Sequence, residues 1–91
     1  MNTEKLQLQL QHVSSKIKAA QDAILQAQGT NKTLLEQAYE QLHQAEGELK
    51  NAQQTYGTTA INHPHFQQAY EALHDTRQQV QEAQQNIDDI L

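Results

Sequence analysis

Three runs of apolar residues, each stepping by three and four, set the terms for this chain of 91 residues. The first is Leu6, Leu10, Val13, Ile17, Ala20, Ile24 and Ala27. The second is Leu35, Ala38, Leu42, Ala45, Leu49, Ala52 and Tyr56. The third is Phe66, Ala69, Leu73, Thr76, Val80, Ala83, Ile87 and Ile90. A mean step of about 3.5 residues holds one stripe of a helix toward a neighbour along its whole length, so each run specifies a helix with one buried seam. Three glycines and one proline leave such helices room to run. Aromatic residues make up only 4% of the chain and β-branched residues are few, which argues against a sheet.

The residues between the runs read as helix ends. Gly29 follows the first seam and Gly57 follows the second, each as a helix stop. Thr33 with Glu36 forms a capping box for the second helix, with Thr30 and Asn31 as alternative caps. Asn62 caps the third helix, Pro64 stands in its first turn, and Ile61 and Phe66 occupy hydrophobic-staple positions. These signals predict helices at 3–28, 31–56 and 63–90, with a loop between the last two.

Short loops make consecutive helices antiparallel neighbours. Pairing the second and third helices so that residue numbers add to 118 sets Leu35 against Ala83, Ala38 against Val80, Leu42 against Thr76, Ala45 against Leu73, Leu49 against Ala69 and Ala52 against Phe66. Every layer joins a large side chain to a small one. Pairing the first and second helices at 62 gives the same alternation in most layers, from Ala27/Leu35 to Leu10/Ala52. Alternating sizes let helices approach while the interior stays filled. The midpoints of both registers fall in the predicted loops. The expected fold is all-α: one domain over 1–91, an antiparallel up-down-up three-helix bundle with coiled-coil-like Ala/Leu heptad seams, able to oligomerise into a larger bundle. Its Ala-rich layers bury little area, and Gly47 weakens the middle helix. Leu8 and Leu25 lie off the first seam, where self-association would bury them.

A repeat crosses the second and third helices. Residues 37–43 read QAYEQLH and residues 68–74 read QAYEALH. A copied segment marks a copied structural unit. Its Ala and Leu belong to the seams, and its Tyr and His fall on a flank. Tyr39, His43 and Glu46 on one helix, with Tyr70, His74 and Arg77 on the other, gather on one side of the hairpin. Tyr39 and Tyr70 then line the groove in which helix one lies, or they offer an interaction surface, because Tyr and Arg are favoured interface anchors.

The doubled tetrads Glu40-x-x-His43 and Glu71-x-x-His74 resemble the Glu-x-x-His pairs of ferritin-like di-iron carboxylate proteins. That resemblance implies a metal pair held by Glu40, His43, Glu71 and His74. It covers four residues per copy. Glu40 and Glu71 fall at the outermost heptad position, the chain has three helices where that family uses four, and no Asp or Glu occupies a seam. The sequence therefore calls for no metal and no cofactor. His63-Pro64-His65 reads as a helix start before it reads as a ligand pair. Size and helical content are similar to those of the small helical-hairpin proteins exported by type VII secretion. Their Trp-x-Gly turn is missing, since Tyr56-Gly57 stands there and the chain has no Trp.

Net charge is −5, and the six basic residues are scattered, so no basic face forms for phosphate contacts or an anionic membrane surface. No stretch approaches the ~20 apolar residues of a membrane span, and no signal peptide precedes the first seam. There is no cysteine. No Ser-His-Asp set or Gly-rich phosphate loop appears. The resulting expectation is a small cytoplasmic, non-enzymatic helical protein, of a Gln-rich kind found in bacteria and phages. It acts through a helical protein partner or its own homo-oligomer and binds neither nucleic acid nor membrane. Its interaction residues are Tyr39, His43, Tyr70, His74, Arg77, Leu8 and Leu25. The alternative is a small-ligand or metal binder using the Tyr/His flank.

Overall fold

The computed structural model describes residues 3–27 and 31–90. Among them there is no strand. Three long helices, α1 (Thr3–Ala27), α2 (Lys32–Tyr56) and α4 (Pro64–Ile90), pack together with a one-turn helix, α3 (Thr58–Ile61). The assembly is a rod of 52 × 17 × 16 Å.

The seams are where the periodicity puts them. In α1, Leu6, Leu10, Val13, Ile17, Ala20 and Ala27 are buried; in α2, Leu35 through Ala52 of the seam are buried without exception. In α4 the buried set is Phe66, Ala69, Leu73, Thr76, Val80 and Ile87. Tyr56 and Ala83 are half-buried. Among the described residues, Thr76 is the one polar side chain buried in the core, and its hydroxyl is satisfied twice. It donates to the Ala72 carbonyl at 2.6 Å and accepts from Gln21 Nε2 at 3.1 Å. A hydroxyl bonded in this way can sit in an apolar layer without a desolvation penalty of several kcal/mol.

One seam position shifts. Ala23 is buried and Ile24 is only half-buried. Ala23 continues the flank of Gln9 and Lys16, seven residues apart each time. Both of those reach α2: Gln9 Nε2 donates to the Glu48 carbonyl and Lys16 Nζ to Gln44 Oε1. The α2-facing flank of α1 is bridged at Gln9 and Lys16, and the Ala23 methyl, one heptad further on, is buried on the same flank.

The helix ends depart from the expected punctuation at the start of α2 and in the connection from α2 to α4. Asn31 caps α2, its Oδ1 accepting from Leu34 N–H at 3.2 Å, so the Thr33/Glu36 box does not form the start. Residues 58–61, expected as loop, form α3, with Ala60 fully buried. Asn62 ends α3 and does not cap α4. That role falls to His63: its carbonyl accepts from Phe66 N–H at 3.0 Å and its Nδ1 from His65 N–H at 3.1 Å. Pro64 follows as the first helical residue, where its missing N–H is no loss. With the cap at His63, Ile61 and Phe66 no longer hold the staple positions, and Ile61 is 39% exposed. Gly57 ends α2 as expected, at φ 57° and ψ −130°, a backbone region that side chains strongly disfavour. The expected stop at Gly29 and the alternative cap Thr30 lie outside the described residues.

Candidate functional site: an open groove between α2 and α4

The heptad pattern gives α2 and α4 one flank each that points away from α1. On α2 this flank carries Glu46, Lys50 and Gln53; on α4 it carries Tyr70, His74 and Arg77. Together they line a groove of about 560 Å³ with Gln78 and Gln81 at its edge. Its floor is made by the rims of Leu49, Phe66 and Leu73, side chains of the core itself.

Glu46 is the electrostatic centre of the groove. Its Oε1 lies 3.1 Å from Lys50 Nζ, one turn along the same helix, and its Oε2 accepts from Arg77 Nη1 across the groove. The Lys50 bond first, and then the Arg77, Lys50 and His43 charges, hold its carboxyl below the ordinary value; burial works in the opposite direction. The carboxylate is thus kept charged and fixed by two cations.

Tyr70 is 61% exposed and Tyr39 44% exposed. Neither lines the bed of α1. The reason is the flank that α1 chose. Its bonds reach Gln44 and Glu48 of α2 and Thr76 of α4, and Leu34 and Ala72 on that side pack against the core. Leu34 and Ala72 bed α1 there, whereas Tyr39, Tyr70 and Arg77 stand on the opposite flank. Of the two readings the sequence leaves open for these tyrosines, their exposure fits the one in which helix one does not cover them.

The remaining candidates separate. His74 and Arg77 share the groove with Tyr70, while Tyr39 and the exposed His43 continue the same flank along α2. Leu8 and Leu25 are 65% and 74% exposed on α1. Leu25 borders a second hollow of about 330 Å³ with Ile17, Ala69 and Ala72, between α1 and α4. Glu40 and Glu71 are exposed, and Glu40 accepts from Gln44 Nε2 at 3.2 Å. Among the described residues, no three His, Asp, Glu or Cys side chains stand close enough to hold a metal ion. The rings of His63 and His65 lie 5.1 Å apart, occupied with starting α4.

Lys50, Gln53 and Gln81 belong to the groove and were not singled out by sequence reasoning. The signal was present: they stand seven residues from His43, Glu46 and His74, and so on the same faces.

No protein-family model matches the chain, and no significant match to it is found among curated proteins or solved structures.

Proposed function

We propose that this protein is a non-enzymatic helical interaction module that engages another protein helix through the flank shared by α2 and α4. The observation that carries the reading is Tyr70. An aromatic side chain 61% exposed stands beside a groove whose opposite wall is charged and whose floor is apolar. That combination of aromatic, Arg and apolar rim is what interface anchors are made of. The module is an up-down-up three-helix bundle with heptad seams. Two bonds support that register. Antiparallel heptads place flank partners two or five residues from the seam sum. Gln9 with Glu48 falls five below 62, and Arg77 with Glu46 falls five above 118.

A small-ligand role for the same flank is the weaker reading, because the groove is open to solvent along Tyr70 and encloses nothing. Cytoplasmic residence belongs to the proposal as well; among the described residues, no helix is long and apolar enough to cross a membrane.

A photoreactive amino acid at Gln78, on the groove edge, tests the reading when compared with one at the exposed Ser15 on α1. Irradiation in the cells that make the protein should crosslink a protein at Gln78 and not at Ser15. Crosslinking at neither position would sink the proposal.

A further inference from the structure

Resting on that reading, we infer that the occupant of the α2/α4 face is a second copy of this chain. The argument begins with charge. The groove holds one carboxylate, Glu46, and two cations, Lys50 and Arg77. The other ten acidic and four basic residues lie elsewhere, a balance of −6 in a chain of net charge −5. The excess sits on α2 and α4: outside the groove α2 has three acids and one base, and α4 five acids and no base. The outward side of α4, with Glu71, Asp75 and Glu82, is the worst place for them to meet. The groove spares them that acid-on-acid contact, because it sets two carboxylates among four cations.

The second step is self-complementarity. A twofold axis running along the rod in the plane of the interface lays α2 of one copy over α4 of the other. Glu46 and Arg77 already bond across the midline of the groove. The twofold brings Glu46 of each copy over Arg77 of the other and turns one ion pair into a reciprocal set of four charges. An isologous contact requires such a pairing of unlike groups on one face. The sequence repeat helps, because Tyr39 and Tyr70 occupy equivalent places on the two helices and both are exposed there.

The competing patch on α1 does not assemble. Leu8 and Leu25 are seventeen residues apart, which places them roughly 100° apart around the helix and about 25 Å apart along it. Leu25 borders the hollow between α1 and α4 and Leu8 does not, so the two leucines form no single patch.

Sedimentation equilibrium of the full chain, up to roughly 500 µM, tests the inference. The wild type should dimerise. Tyr39→Glu with Tyr70→Glu should raise the dimer Kd by about thirtyfold or more, the effect expected of interface anchors, while circular dichroism stays helical. Leu8→Glu with Leu25→Glu should leave it unchanged. Glu46→Arg and Arg77→Glu should each weaken self-association, and mixing these two variants should restore a dimer. A dimer dissolved by the leucine variant and not by the tyrosine variant overturns the inference and keeps the interaction role. A strict monomer that still crosslinks a different protein at Gln78 does the same. A strict monomer with no crosslink removes both.

Discussion

Arg77 of α4 donates to Glu46 of α2, and the two residues stand at the same place in the two copies of the repeat, 31 residues apart. The repeat matches Tyr39 with Tyr70 and His43 with His74 in sequence, but at this position its two segments carry opposite charges. The ion pair therefore joins matched positions of the two segments.

That pair makes stability depend on acid. Glu46 has its carboxyl held below the ordinary value of 4.5, chiefly by Lys50 and with Arg77 adding. A depressed carboxyl stabilises the fold fully above its unfolded value, and the contribution is lost as pH falls through the folded one. Glu46→Gln should therefore melt below the wild type at pH 7. Thermal scans should show the gap closing under acid conditions below 4.5, and narrowing in high salt because the pair faces solvent.

The two described glycines should respond in opposite ways. Gly47 lies inside α2, exposed, with open space where a Cβ would project, so Gly47→Ala should stabilise by about 1 kcal/mol. Gly57 has equal space but a φ of 57° with ψ −130°, so Gly57→Ala should destabilise by about 1–3 kcal/mol. Urea unfolding of the two variants checks both signs.

The histidine cap of α4 gives a third prediction. His63→Ala removes the acceptor for His65 N–H and should cost about 0.5–2 kcal/mol, which His63→Asn should restore. Asn62→Ala should be close to neutral, since Asn62 ends α3 and the start of α4 is held by His63. The same unfolding assay separates the two positions.

A buried amide on α2 supplies the fourth. Gln41 Oε1 is shut away from solvent without a hydrogen-bond partner. Leaving such an acceptor unsatisfied costs about 1–3 kcal/mol. Gln41→Leu should raise the denaturation midpoint, because it replaces the orphaned oxygen with apolar volume on the flank that meets α1.

The reach of the sequence follows from length and symmetry. The three seams each hold seven or eight positions over more than twenty residues, and such runs carry their period without ambiguity, so Leu6 through Ala20, Leu35 through Ala52 and Phe66 through Val80 were legible as core. Residues 58–61 were not: four residues cannot display a helical period, and Ala60, now fully buried, looks in sequence like any loop alanine. The choice of cap between Asn62 and His63 was hidden for a related reason, since the competition is decided by where α3 ends. The flank bearing Tyr39, Tyr70 and Arg77 was legible from heptad position. Whether α1 would cover it was not. A seam of a and d residues looks alike from both flanks, and the decision rests on Leu34 and Ala72 packing on one side while tyrosines fill the other.

Hydroxyl-radical footprinting across a concentration series tests the account most directly, because it reads the surface of each tyrosine in the unaltered protein. The half-buried Tyr56 serves as internal reference. The account predicts that Tyr39 and Tyr70 become protected together as concentration rises, while Leu8 and Leu25 keep their reactivity. Protection of Leu8 and Leu25, with Tyr39 and Tyr70 as reactive at high concentration as at low, would contradict it.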